Sequence, residues 1–76
     1  MIDLYMLETC PYCKKVIKFF DENNVQYNKV DIAEKMNEDA LIQLGGKRQV
    51  PFIVDKERNI QMYESSDIIE YAKTIL

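Results

Sequence analysis

The stretch T-C-P-Y-C, residues 9–13, contains the only two cysteines of the chain, Cys10 and Cys13. Proline is common at the first position of a helix, where its missing N–H would have no partner and its φ angle is already helical. With Pro11 in that position, Cys10 caps the helix and Cys13 lies in its first turn. The stretch therefore predicts that a helix begins between two thiols.

The residues around the cysteines predict a strand, a short loop and a helix. Residues 2–7 alternate, with Ile2, Leu4 and Met6 on one face, as expected for a half-buried strand. From Pro11 to Glu22 the apolar residues recur at helical spacing. A cysteine pair at the start of such a helix is in a setting where thiols become reactive.

We expect the two thiols to differ. The backbone N–H groups of Tyr12 and Cys13, together with the positive end of the helix dipole, favour the thiolate form of Cys10. Cys13, one turn further in, is expected to be a more buried, neutral thiol. Cys10 would attack a disulfide and Cys13 would resolve the mixed disulfide, while Pro11 keeps the sulfurs close and Tyr12 offers an aromatic surface.

Two other interpretations of the cysteines remain open at this point. They could be half of a zinc site, but the chain has no histidine and no further cysteine, so a tetrahedral site would need two chains. They could also be inert core residues. A structural disulfide is disfavoured because it would close a very short loop and constrain little of the unfolded chain.

The rest of the chain predicts five further elements. They are a strand over Val25–Ile32, a helix over Ala33–Leu44 stopped by Gly45-Gly46, a strand over Phe52–Val54, a strand over Ile60–Tyr63 and a final helix. Residues 55–59 are expected to form a polar connection. The final helix offers caps at Ser65, Ser66 and Asp67, with Asp67 and Glu70 at capping-box spacing.

Two predicted helices carry apolar stripes expected to face the core. The stripe of the second helix comprises Met36, Ala40, Leu41 and Leu44, and that of the final helix comprises Ile68, Ala72, Ile75 and Leu76. The element order β-α-β-α-β-β-α predicts an α/β fold. Its four-stranded sheet would be mixed, because a right-handed crossover makes the first two strands parallel and a short connection makes the last two antiparallel.

Composition places limits on organisation and partners. The chain has 76 residues, so we expect a single domain over residues 1–76 and a monomer. Its formal net charge is -3 with both signs interspersed, which disfavours nucleic acid as a partner. No apolar run is long enough to span a membrane. A vicinal thiol pair without a leader segment predicts a cytoplasmic protein.

Over essentially its whole length the chain resembles the glutaredoxins, small members of the thioredoxin superfamily. The resemblance lies in C-P-Y-C at residues 10–13, in Thr9 before it, and in Val50-Pro51 ahead of a strand. It implies a thioredoxin-like fold, a cis Val50-Pro51 peptide bond, and a Val50 backbone that binds an incoming cysteine. It also implies glutathione as co-substrate, with no permanently bound cofactor and no metal.

The resemblance further implies a glutathione site at the start of the last helix. Ser66 and Asp67 match the position that holds the γ-glutamyl group, and Arg48, after Lys47, is a candidate for the glycine carboxylate. Three positions depart from the family pattern, namely Leu7, Gln49 and the pair Tyr63-Glu64. The stretch with Glu64-Ser65, Ile68 and Tyr71 instead resembles the amino-terminal domain of glutathione transferases, in which Glu and Ser hold the γ-glutamyl group.

The expected activity is a thiol–disulfide oxidoreductase that reduces protein or glutathione mixed disulfides with electrons from glutathione. Disulfide-containing proteins would be its partners. The alternatives are a redoxin recharged by a thioredoxin-type reductase, a glutathione-binding module without turnover, and an iron–sulfur carrier bridged between two chains. Pro11 and Tyr12 disfavour the last, because cluster carriers of this family have a smaller, looser loop.

Overall fold

A computed structural model describes all 76 residues and contains the seven predicted elements in the predicted order. The strands and helices are β1 (Ile2–Met6), α1 (Pro11–Glu22), β2 (Tyr27–Asp31), α2 (Lys35–Gly45), β3 (Phe52–Asp55), β4 (Ile60–Tyr63) and α3 (Ser65–Thr74). The α/β class is therefore confirmed, and α1 has the bounds that its sequence predicts. None of the helices is long and apolar enough to cross a membrane.

The four strands form one mixed sheet in the order β2-β1-β3-β4. β1 runs parallel to β2 and antiparallel to β3, and β3 runs antiparallel to β4. In the central pair Tyr5 lies opposite Phe52, so the end of β1 is beside the beginning of β3. This pairing brings the loop that contains Cys10 and the Val50-Pro51 segment to the same end of the sheet.

The core occupies both faces of the sheet. On one face Ile2, Leu4, Met6 and Ile53 pack with buried residues of α1 and α3; on the other, Tyr5, Phe52 and Val54 pack with Leu41 of α2. The alternation along β1 and β3 explains the two clusters, because successive strand residues point to opposite faces. Helices therefore cover both faces of the sheet.

The apolar stripes of α2 and α3 are narrower than predicted. In α2 only Leu41 is buried, whereas Met36 is 81% exposed and Leu44 is 43% exposed. In α3 Ile68 and Ala72 are buried, but Leu76 lies beyond the helix and is exposed. The periodicity identifies the helices, but the sheet beneath α2 buries Leu41 fully and Ala40 only partly.

Strand β2 begins at Tyr27, two residues later than predicted. Asn24 has a φ of 54°, and the Val25 N–H donates to the Phe20 carbonyl oxygen at 2.9 Å. This turn places Val25 against the core before the strand starts. Within β2 the apolar residues lie on both faces of the sheet, because Tyr27 packs against one core cluster and Val30 against the other.

The sequence places Asp55 in a polar connection, and this prediction is wrong. Asp55 is the last residue of β3 and is completely buried. The Tyr71 hydroxyl donates to its Oδ2 at 2.6 Å, and Arg58 Nη1 donates to the same oxygen at 3.1 Å. The hydrogen bond from Tyr71, opposed by burial and assisted by the hydrogen bond from Arg58, holds the pKa of Asp55 below its ordinary value. A buried carboxylate is tolerated only with such donors.

We predict that Tyr71→Phe lowers the free energy of unfolding by about 1–3 kcal/mol at pH 7, because it leaves a buried carboxylate with one donor fewer. A depressed folded-state pKa stabilises the protein above the ordinary Asp pKa of about 3.9, and this contribution is lost as the pH falls through the folded-state value. The difference between wild type and variant should therefore narrow in acid. Urea unfolding at pH 7 and at about pH 3 measures both effects.

Tyr27→Phe is the matched control, because the Tyr27 hydroxyl donates to the exposed carboxylate of Asp21 at 2.7 Å. It should cost less than about 0.5 kcal/mol. Equal losses in the two variants would contradict a special contribution from Asp55.

Candidate active site

Cys10 is the N-cap residue of α1, as predicted. Its backbone is extended, with φ -79° and ψ 119°, and Pro11 is the first helical residue. The Cys13 N–H donates to Cys10 Sγ at 3.4 Å, whereas the Tyr12 N–H, the other expected donor, makes no such contact. One main-chain donor and the helix N-terminus thus face the Cys10 sulfur, and both favour negative charge there.

The two thiols are free and differ in environment. Cys10 is partly exposed, and Cys13 is completely buried among the residues that α1 and α3 pack against β1. Burial, reinforced by a hydrogen bond to Cys10 and opposed by one from the Leu7 backbone, raises the pKa of Cys13 to about 12. The expected contrast between an accessible and a buried, neutral thiol is present.

A cleft of about 470 Å³ opens beside the cysteine loop. Its lining comes from three segments that are distant in sequence: Tyr12 and Lys15 of α1, Gln49-Val50-Pro51 before β3, and Glu64-Ser65-Ser66 at the start of α3. The Val50-Pro51 peptide bond is cis, as the resemblance implies. Six residues expected at the site (Tyr12, Val50, Pro51, Glu64, Ser65 and Ser66) therefore lie around one cavity.

The two remaining candidates for glutathione, Arg48 and Asp67, do not line this cleft. Arg48 forms an ion pair with Glu38 of α2, and this contact lowers the pKa of Glu38. Asp67 is exposed in the first turn of α3. Their roles in ligand binding stay predictions.

Gln49 and Lys15 line the cleft but were not among the predicted site residues. The Gln49 side-chain amide donates to Glu64 Oε1 at 3.0 Å and so joins two walls of the cleft. The resemblance identified Gln49 and Glu64 separately as departures from the family pattern. Their contact could not be found from sequence, because it depends on how two distant loops meet.

Tyr63 fills a space that a glycine of α2 leaves open. A Cβ atom added to Gly45 would lie 2.0 Å from the Tyr63 hydroxyl oxygen. That hydroxyl donates to the Lys47 carbonyl oxygen at 2.8 Å, and Lys47 Nζ lies 4.8 Å from the centre of the tyrosine ring. The tyrosine thereby fixes the segment leading to Val50-Pro51 against β4.

Helix α3 begins differently from the prediction. Glu64 is its N-cap residue, with a φ of 72°, and no side chain caps the helix. The expected capping box of Asp67 and Glu70 is wrong, because the helix starts at Ser65 and Glu70 accepts a hydrogen bond from Lys73. The first N–H groups of α3 are therefore not occupied by a capping side chain, and Ser65 and Ser66 line the cleft at this helix end.

No group of three or more His, Cys, Asp or Glu side chains is arranged to hold a metal ion. The chemistry that the site offers is that of its thiols, the main-chain donors at two helix N-termini, and the side chains of Gln49, Glu64 and Lys15.

The family model for the glutathione S-transferase N-terminal domain matches residues 4–75. The chain is 34% identical to prostaglandin E synthase 2 of Mus musculus over 77 residues, which cover 99% of this chain and 20% of that protein. It is 33% identical to a glutaredoxin-like 8.6 kDa protein of Clostridium pasteurianum over 54 residues, covering 70% of this chain and 72% of that protein.

The fold is also that of a solved structure, glutaredoxin 2 of Salmonella typhimurium in complex with glutathione. The TM-score is 0.83 at 23% identity, covering 99% of this chain and 34% of that one. The thioredoxin-like fold implied by the resemblance is thus confirmed. The chain spans about a fifth of the mouse protein and about a third of the Salmonella protein.

We predict that Cys10→Ser, which leaves only Cys13, reacts with iodoacetamide at pH 7 at least about a hundredfold more slowly than Cys13→Ser, which leaves only Cys10. The thiolate is the reactive form, and a buried thiol with a pKa of about 12 is almost entirely protonated at neutral pH. Mass spectrometry of quenched samples gives both rates. In 8 M urea, as a control, the two rates should converge; similar rates in the folded proteins would contradict the assigned environments.

Proposed function

This chain belongs to the glutathione S-transferase N-terminal domain family and is a glutaredoxin-like member of the thioredoxin superfamily, and we propose that it is a glutathione-dependent thiol–disulfide oxidoreductase. The observation that carries the proposal is the contact of the Cys13 N–H with Cys10 Sγ at a helix start, with the Cys13 thiol buried one turn away. Cys10 is the nucleophile and Cys13 the resolving thiol.

The first half of the reaction transfers two electrons to the substrate. The Cys10 thiolate attacks one sulfur of a substrate disulfide, a Cys10–substrate disulfide forms, and the other substrate sulfur leaves as a thiolate. Cys13 then loses its proton, and its sulfur attacks Cys10 Sγ. The Cys10–Cys13 disulfide forms, and the second substrate sulfur leaves.

The second half regenerates the dithiol with two glutathione molecules. The first attacks Cys10 Sγ, forms a mixed disulfide and releases Cys13, which takes up a proton. The second attacks the sulfur of the bound glutathione, and glutathione disulfide leaves as Cys10 is released. In sum, one substrate disulfide gains two electrons and two protons, and two glutathione molecules become one glutathione disulfide.

The cleft supports glutathione as the co-substrate. Neither the N–H nor the C=O of Val50 makes a main-chain hydrogen bond, so both are free to pair with the backbone of an incoming cysteine beside Pro51. The Glu64 carboxylate suits the ammonium of a γ-glutamyl group, and Ser65 and Ser66 at a helix N-terminus suit its carboxylate. Asp67 and Arg48 would contribute from outside the cleft lining.

A dithiol that works by being re-reduced fits a reducing compartment such as the cytoplasm. Its partners would be glutathione and disulfide-containing proteins, met by a monomer, since the site needs no residue from a second chain.

A second candidate function is a glutathione-binding module without turnover, within a longer protein. The match to a transferase N-terminal domain and the Glu64-Ser65 pair in the cleft favour it. Binding without reduction of any disulfide would support this candidate over the oxidoreductase.

We predict that Cys10→Ser abolishes reduction of a glutathionylated peptide, because the nucleophile is lost. Cys13→Ser should retain at least about a tenth of the wild-type rate on that substrate, since only Cys10 and one further glutathione are needed. The same variant should fail on a peptide with an internal disulfide. NADPH oxidation coupled through glutathione reductase measures both, and activity in Cys10→Ser would refute the assigned roles.

We predict that glutathione binds the Cys10→Ser protein and that adding Ser65→Ala and Glu64→Gln weakens binding about tenfold or more, because charged hydrogen bonds are lost. Thr74→Ala, which removes a hydroxyl from the far end of α3, is the control and should leave the affinity unchanged. Calorimetric titration gives the dissociation constants. Absence of glutathione binding to the Cys10→Ser protein, together with reduction of the wild-type Cys10–Cys13 disulfide by NADPH and a thioredoxin-type reductase, would support the reductase-linked alternative.

A further inference from the structure

Three lysines of α1 have no ionic partner within the chain. Lys14, Lys15 and Lys18 are exposed, and none has a carboxylate oxygen within 4 Å of its nitrogen. Five of the other basic side chains (Lys29, Lys35, Arg48, Arg58 and Lys73) form ion pairs, and Lys47 lies over the Tyr63 ring. Lys56, after β3, also has no ion-pair partner, so three of the four lysines without a charged or aromatic partner lie on one helix of a chain whose net charge is -3.

These lysines form a surface that begins beside the nucleophile. Lys15 lines the cleft, whereas Lys14 and Lys18, one helical turn apart, do not. Lys18 is eight residues beyond Cys10, which is about 12 Å along the helix axis. We call Lys14, Lys15 and Lys18 the basic face of α1. Because only Lys15 lines the cleft, this face continues along α1 beyond the cleft.

The arrangement is unfavourable for the isolated chain. Like charges at Lys14 and Lys18 repel, and α1 has no acidic residue in its first turn. The nearest carboxylate before the helix, Glu8, pairs with Lys29 at 4.0 Å, and the carboxylate of Asp21 accepts the hydrogen bond from Tyr27. Glu22, four residues after Lys18, has no carboxylate oxygen within 4 Å of a lysine nitrogen, so it forms no ion pair with the lysines of α1. The charges of these lysines are therefore available to an external anion.

We infer that the basic face of α1 docks an acidic polypeptide segment that flanks the substrate disulfide. The inference rests on the proposed function and specifies its substrate class: disulfides in proteins whose adjacent surface carries Asp or Glu. A positive face beside the reactive sulfur raises the local concentration of such segments and orients the disulfide toward Cys10, and the effect weakens as salt screens the charges.

The test uses two synthetic peptides with the same internal disulfide, one flanked by Glu and one by Lys. At about 20 mM ionic strength we expect kcat/KM to be about tenfold higher for the acidic peptide, and the ratio to fall to about twofold at 0.5 M salt. The double variant Lys14→Gln/Lys18→Gln should reduce the low-salt ratio to about twofold or less. The matched control is Lys56→Gln/Lys73→Gln, which changes the net charge equally at the opposite end of the sheet and should keep the preference.

Two results would overturn the inference. One is an equal kcat/KM for both peptides in the wild type, and the other is a preference that the control variant loses as completely as Lys14→Gln/Lys18→Gln does. If the wild type reduces neither peptide, the proposed function fails instead. Docking is then tested by fluorescence anisotropy of the labelled acidic peptide, whose affinity for the wild type should exceed that for Lys14→Gln/Lys18→Gln at least fivefold and that for Lys56→Gln/Lys73→Gln by less than twofold.

Discussion

The antiparallel pairing of β1 with β3 is the constraint on which the rest of the site depends. Tyr5, near the end of β1, lies opposite Phe52, the first residue of β3. The loop that follows β1 and contains Cys10 is therefore beside the segment that precedes β3 and contains Pro51. The cysteine loop and the cis-proline, about forty residues apart in sequence, therefore lie at the same end of the sheet. Strand β4 ends at the same end of the sheet, because Tyr63 pairs with Phe52. The turn from β4 into α3 therefore brings Glu64 and Ser65 to the cleft.

The nucleophile loop depends on the core as much as on local sequence. Cys13 is a residue of the proposed chemistry and a completely buried member of the cluster formed by β1, α1 and α3. Its burial is what raises its pKa and separates its behaviour from that of Cys10. The packing that stabilises α1 therefore also makes two chemically identical side chains differ in exposure, so that one is suited to attack and the other to resolve.

Local rules were enough to predict the elements and the cysteine site, because capping and helical periodicity act over a few residues. Pro11 set the start of α1, and Gly46, with a φ of 91°, ends α2 as the glycine pair indicated. The predictions that were wrong concern residues whose environment depends on partners distant in sequence. Burial of Asp55 depends on Tyr71, and the start of α3 depends on the backbone turn at Glu64, which overrides the capping-box signal at Asp67. The Gln49–Glu64 contact likewise joins two loops that no spacing rule connects.

Because Tyr63 occupies the space that a side chain at Gly45 would need, substitutions at these two positions are coupled. A side chain at position 45 requires the Tyr63 ring to move away or to be replaced by a smaller residue, since the ring in its present position and a new Cβ cannot both occupy the gap. A smaller residue there would in turn leave the Lys47 carbonyl without its donor. Homologues of this chain should therefore exchange the two residues together, and redesign of the segment before the cis-proline should begin with the pair.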